Sequence, residues 1–253
     1  MKKFFIKICK LFGFEIIDQN EFISPTLNKE LNEDLSILNK KSIVLPLGEV
    51  KITRKVNSIL IIIRVNTEIE VWDQNKRRLF EQPKIEYSIR SIKSLINSIN
   101  LCQNKYSGLK IKIIILDDSS KDENLNRIKE IIKDTNGEII SLDTKKFESK
   151  IKKQKTQETF SNLASLLQCF EIGKEIGEDL IFFVEDDYLH FETMLEEMIA
   201  TYERVSSQVG KDIFMCPADY PYLYMNNEKT NILIGDKRHW RTINKTLCTF
   251  LTS

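Results

Sequence analysis

Ile113-Ile114-Ile115-Leu116-Asp117-Asp118-Ser119-Ser120 and Leu180-Ile181-Phe182-Phe183-Val184-Glu185-Asp186-Asp187 share one design: an unbroken apolar run that ends in carboxylates. A run without polar alternation reads as a strand buried on both faces, the kind found in parallel α/β sheets, whose ligands lie beyond the strands' carboxyl ends. Both acidic clusters then stand on one edge of one sheet. Such a rim suits a cation and a nucleotide.

Working outward, residues 58–65 form a third apolar run and read as the first buried strand. Ile85, Ile89, Ile92, Leu95, Ile96 and Ile99 recur at helical spacing and supply a crossover helix to the strand at residues 110–116, so these strands pair in parallel. Ser120 and Glu123 match a capping box, and Leu125, Ile128, Ile131 and Ile132 mark the stripe of the next helix, closed by Gly137. A short strand at residues 138–142 comes next. Phe160, Leu163, Leu166, Leu167 and Phe170 define a helix running to Gly177, ahead of the strand that begins at Leu180. Phe191, Met194, Leu195, Met198, Ile199 and Tyr202 form another helix, with His190 in its first turn and its methionines and aromatics serving as core. Residues 212–216 read as a strand, residues 231–234 and 239–243 as a hairpin across Gly235-Asp236, and residues 246–252 as a last strand. The fold class is α/β, a Rossmann-like, mainly parallel sheet flanked by helices, with a small β-hairpin late in the chain.

At 253 residues and 42% hydrophobic content the chain can bury one sizeable core. Its 38 basic and 37 acidic residues nearly cancel, so overall charge gives no argument for nucleic acid as a partner. The five cysteines lack any metal-ligand spacing and fit buried thiols in a reducing compartment. No stretch is long and apolar enough for a spanning helix.

Residues 1–57 read as an N-terminal helix and an irregular lead-in that contains Pro25, Pro46 and one short helix at residues 30–38. Residues 58–253 form the domain. Within residues 1–14, Lys7 and Lys10 interrupt the apolar stretch of a would-be signal peptide and no small-residue cleavage site comes after it. Two readings of this segment stay open: a helix lying on an anionic membrane surface, giving peripheral membrane contact, or a helix docked on the domain. Residues 66–83 are a long polar connection beyond the first strand, and residues 145–155 are a lysine-rich stretch that is either a solvated loop or an approach to a phosphate or lipid head group.

Side chains on an extended segment alternate, so Glu185 and Asp187 face one way and Asp186 the other. Two carboxylates on one side make a claw for Mg²⁺ or Mn²⁺, whose remaining positions water and substrate phosphates fill. The competing reading is that these residues leave the sheet and cap the following helix. After the earlier strand, Ser119, Ser120 and Asp122 already supply capping groups, which leaves Asp117 and Asp118 for another purpose.

Residues 58–67, Leu116-Asp117-Asp118-Ser119-Ser120 with Asp122, and Val184-Glu185-Asp186-Asp187 resemble family 2 glycosyltransferases of the GT-A fold. The resemblance spans residues 58–253 and places the hairpin on the acceptor side. It implies that Arg64, Asn66, Thr67, Asp117, Asp118, Glu185 and Asp186 bind the nucleotide, and that Asp187 and Glu185 hold Mn²⁺ or Mg²⁺, with His239 as a late additional ligand. The implied reaction is inverting transfer from a nucleotide-sugar donor to a hydroxyl of a glycan or lipid-linked acceptor. It takes place in the cytoplasm or on the inner face of the membrane, during cell-surface polysaccharide synthesis. Three departures from the family pattern leave the donor open: Glu185 at the first position of D-x-D, Ser119 in place of the glycine of D-D-G-S, and Arg64-Val65-Asn66-Thr67 in place of P-T-Y-N.

The family's catalytic base lies on a helix after the acceptor-side strand, and the sequence stops at Ser253 straight after a strand, so the reading here is of a fragment or a short relative with its base beyond Ser253. Within the chain, Asp219 is the candidate to touch a sugar, flanked by Tyr220, Tyr222 and Tyr224, against the reading of a turn aspartate. Tyr220, Trp240 and Arg241 are the candidate substrate contacts, Arg241 through its planar fork on a diphosphate. A nucleotidyltransferase and a catalytically inactive nucleotide-binding scaffold are the alternatives. Residues 64–68 lack the glycine-rich loop that the first of these needs.

Overall fold

The structure, a computed structural model, describes residues 2–14, 41–44, 48–68, 82–152, 156–218, 231–243 and 249–253. Helix α1 (Lys2–Leu11) comes first, then an antiparallel pair of short strands, β1 (Lys41–Val44) and β2 (Gly48–Lys51), in the stretch expected to be irregular. The helix expected at residues 30–38 lies outside the described residues. Residues 52–57, read from the sequence as lead-in, are built into the domain. Ile52 and Val56 are buried, and the Thr53 and Arg54 N–H groups both donate to Ser207 Oγ at 2.9 Å.

The domain proper alternates strand and helix: β3 (Ser58–Val65), α2 (Lys84–Lys105), β4 (Lys110–Asp117), α3 (Asp122–Ile132), β5 (Gly137–Ser141), a 3₁₀ turn at Thr144–Phe147, α4 (Gln157–Ile176), β6 (Leu180–Glu185) and α5 (Met194–Val209). Three short strands complete it, β7 (Ile232–Ile234), β8 (His239–Arg241) and β9 (Phe250–Thr252). The central sheet runs β5-β4-β3-β6-β9; its first four members are mutually parallel and β9 is antiparallel to β6.

This order is dictated by which faces the apolar runs must bury. Ile59, Ile61, Ile63 and Val65 of β3 point into one cluster with α2, α3 and α5, while Leu60 and Ile62 point into a second with Ile114, Leu116, Cys169 and Phe183. A central strand buried on both sides needs a helix layer on each. The crossovers through α2 and α3 step from β3 to β4 to β5 on one face. The crossover through α4 covers the other face and returns to the opposite side of β3, as right-handed connections require. The strand order therefore reverses between β3 and β6, the point at which open α/β sheets bind ligands beyond their strands' carboxyl ends.

Several local expectations give way to competing contacts. Ser120 does not cap α3: the N-cap is Lys121 without a side-chain bond, because Ser120 Oγ is taken by the Thr67 N–H at 3.1 Å. Gly137 does not close α3, which stops at Ile132; it opens β5, where a Cβ would collide with Thr135 Oγ1. His190 and Phe191 precede α5 rather than lying in it. Its first residue is Met194, and Gly210 ends it in the left-handed conformation at φ 65°. In place of a strand at residues 212–216, only Met215 bridges to Leu251, since Pro217 offers no N–H and β9 itself is three residues long. Cys102 and Cys169 are buried thiols, pushed up to about 12 by desolvation.

Candidate functional site

Register sets the geometry of the rim. Arg64 on β3 is level with Leu116 of β4 and Glu185 of β6, and Val65 is level with Asp117. Asp117 and Glu185 thus stand at the same end of the sheet on the two flanks of β3, roughly 10 Å apart at two strand spacings. Arg64 lies beside Glu185 on the α4 face. Its guanidinium bonds Glu185 Oε1 at 2.8 Å, Asn162 Oδ1 at 2.8 Å and Ser165 Oγ at 3.1 Å. Burial pushes the Glu185 carboxyl up, the nearby Asp187 and Asp186 add to that, and Arg64 opposes it.

On the β4 side the turn after the strand is built by its own carboxylates. Asp117, 3% exposed, accepts the Ser120 N–H with both oxygens, at 3.3 and 3.2 Å; burial pushes its carboxyl up while the Ser120 bonds pull it down. Ser119 is thereby held at φ 63°, the only non-glycine with positive φ among the described residues. A side chain there carries strain that glycine would not, so this turn has a glycine's shape without a glycine. Asp118 accepts from Asn66 Nδ2 at 3.2 Å and Ser161 Oγ at 3.3 Å, and Asn124 bonds Thr67 Oγ1 at 3.0 Å. Asn66, Thr67, Asp117 and Asp118 are therefore one stitched loop pair.

The β6 side separates its three acids as alternation predicts for the first two. Glu185 turns toward Arg64, while Asp186 turns to the α2 face, where Lys84 Nζ and Ser88 Oγ each reach it at 2.5 Å. Asp186 is 7% exposed; burial pushes its carboxyl up, against the pull of Lys84 and Ser88. Asp187 is exposed. Two further serines of α2 hold the chain between β6 and α5: Ser94 Oγ accepts the His190 N–H at 3.0 Å and Ser98 Oγ the Leu195 N–H at 3.0 Å. His190 is desolvated down to about 4, so its imidazole is neutral near pH 7.

Beside this loop lies a cavity of about 810 Å³ whose walls include Tyr188, His190, Phe191, Cys216, His239 and Trp240. It meets the rim at Thr249, whose Oγ1 accepts the Glu185 N–H at 3.2 Å. The β7–β8 hairpin forms one wall and is pinned to α5 by two buried charges. Glu197 accepts from the N–H groups of Asp236 and Lys237 and from Trp240 Nε1, and Arg204 donates to the carbonyls of Ile234 and Gly235. The Trp240 N–H is thus committed to Glu197, leaving its ring as the part that lines the cavity. His239 and Arg241 line it too. Among the described residues no three His, Cys, Asp or Glu side chains are grouped so as to hold a metal. Asp219, Tyr220, Tyr222 and Tyr224 lie outside the described residues.

Sequence reasoning missed Lys84, Ser88, Ser161, Asn162, Ser165 and Thr249. A signal existed in the helices: Ser88 and Ser98 on α2, and Ser161 and Ser165 on α4, are buried small polar residues on faces otherwise apolar, and each needs a partner. No protein-family model matches the chain, and no curated protein matches its sequence.

Proposed function

We propose that the chain is a metal-dependent, inverting glycosyltransferase of the GT-A type, moving a sugar from a nucleoside-diphosphate donor to a hydroxyl of a glycan or lipid-linked acceptor. The observation that carries this reading is the meeting of the β4 and β6 acidic ends across β3, at the point where strand order reverses. Ligands of open α/β sheets bind at that point.

In this reading Asp117, with Asp118, Asn66 and Thr67, receives the base and ribose, and Arg64 stands where the diphosphate crosses β3. Asp187 and Glu185 fit Mg²⁺ or Mn²⁺, because such ions use one or two carboxylates and take their other oxygens from water and phosphate. The ion, when bound, neutralises charge that builds on the leaving diphosphate. Arg64 serves the same charge with its fork, and must let go of Glu185 to do so. Asp186 takes no part in ligation; tied to Lys84 and Ser88, it fixes the backbone between the other two carboxylates. The cavity beside the hairpin, with aromatic walls, is the place for the acceptor.

One observation favours a second reading, nucleotide binding without turnover: Arg64 already closes one of the two claw carboxylates. The test separates them. With Mn²⁺ and a panel of UDP-, GDP-, dTDP- and CMP-sugars, a transferase shows slow donor hydrolysis that disappears in Asp187→Ala and in EDTA. A binder shows only a thermal shift with one nucleotide. Neither turnover nor any metal-linked shift across the panel would end both readings.

A further inference from the structure

The N-terminal helix is the part of the molecule that a donor site leaves without a role. Phe4, Phe5, Leu11, Phe12 and Phe14 are 69, 60, 85, 75 and 69% exposed, a density of open apolar side chains that a water-facing surface does not hold for free. At about 100° per residue, positions 4, 5, 8, 9, 11 and 12 fall within one arc of roughly 160° and positions 2, 3, 7 and 10 fall on the other. The first arc is aromatic and aliphatic with Cys9, and the second carries all four lysines, with Ile6 among them. Gly13, at φ 80°, ends the helix, with the Phe14 N–H closing on the Cys9 carbonyl at 2.9 Å.

We infer that residues 2–14 are a membrane-surface anchor that lies flat in the interface of a bilayer containing acidic phospholipid. Length argues for lying rather than crossing: ten helical residues cover about 15 Å, half the hydrocarbon thickness. Among the described residues no helix is long and apolar enough to cross a membrane. Charge argues for an anionic partner. Four of the chain's 38 basic residues and none of its 37 acidic ones fall in residues 1–14, leaving a formal charge of −3 on the rest of a chain whose total is +1. Lysines without a compensating acid in the segment favour a phosphatidylserine surface over a neutral one. The apolar arc enters the acyl boundary while lysines on the other arc stay at head-group level, each contributing about a fivefold gain.

The full chain is tested by co-sedimentation with vesicles of phosphatidylcholine alone and with about 30% phosphatidylserine, near 0.1 M salt. Expected are binding to the anionic vesicles at least tenfold tighter than to the neutral ones, and a further loss of about tenfold in Phe5→Ser/Phe12→Ser. Both replaced side chains are exposed, so circular dichroism of this variant should match the parent. Lys7→Glu/Lys10→Glu supplies a second route to the same loss without touching an apolar group. The inference does not rest on the donor site, and Asp187→Ala should sediment like the parent whether or not the chain transfers sugar. Equal uptake by neutral vesicles, no uptake by anionic ones, or uptake unchanged in both variants overturns it. So does a dimer that the phenylalanine variant dissolves in the absence of vesicle binding.

Discussion

Glu203 gives the sharpest physical test of the packing that carries the site. It is 1% exposed, and its Oε1 accepts the Val56 N–H at 2.9 Å, fixing the chain just ahead of β3 to the middle of α5. Desolvation raises its carboxyl from 4.5 to about 7, more than the Val56 bond and the nearby Lys55 pull it back. Between those two values the folded chain keeps a proton that the unfolded chain has released, so stability from this group is complete below pH 4.5 and is lost as pH rises through about 7. At 1.36 kcal/mol for each tenfold change in proton affinity, the loss approaches about 3 kcal/mol. Glu203→Gln keeps an oxygen for Val56 and cannot ionise. Its stability relative to the parent should therefore rise by about 3 kcal/mol from pH 4.5 to about pH 8, on top of a constant offset from the added amide donor. Urea unfolding of both chains across that interval measures it, because other titrations cancel in the difference. A difference flat to within about 0.5 kcal/mol would refute the reasoning, since Glu203 would then have to be hydrated in the folded state.

Two further substitutions probe the rim. Ser119→Gly removes a side chain from a left-handed turn and should stabilise the fold by up to about 1 kcal/mol, read as a higher urea midpoint; a loss of stability would mean the φ of 63° carries no strain. Asp186→Ala strands Lys84 in a site where its side chain is only 15% exposed and should cost about 3 kcal/mol, and adding Lys84→Met should recover at least about 1 kcal/mol of it. If the second change deepens the loss, the ion pair is not what Asp186 supplies.

Much of the fold was legible because its signals are local and strong. Residues 58–65 read as a strand and are β3, and the runs ending at Asp117 and Glu185 are β4 and β6. The stripes on α2 and α4 gave helices that the structure extends only at their ends. Alternation also separated Glu185 from Asp186 correctly. The failures depended on partners distant in sequence. Ser120 has the right spacing for a cap, but the Thr67 N–H, 53 residues away, claims its hydroxyl. Phe191 sits in the apolar rhythm of α5, yet it leaves that helix and lies 69% exposed beneath the Arg238 guanidinium, 4.6 Å from its ring centre. Glu185 reads as half of an open claw from the sequence, whereas Arg64, level with it on the neighbouring strand, has already taken one oxygen.

The serines of α2 have a mechanical meaning. Ser88, Ser94 and Ser98 clasp Asp186, the His190 amide and the first turn of α5 at three heights along one rigid rod. Those three points cannot shift independently; they ride with the rod. Lys84, which grips Asp186, sits where that rod begins, immediately downstream of the connection leaving β3. Any shift of α2 therefore carries Asp186 and the entry of α5 with it as one body.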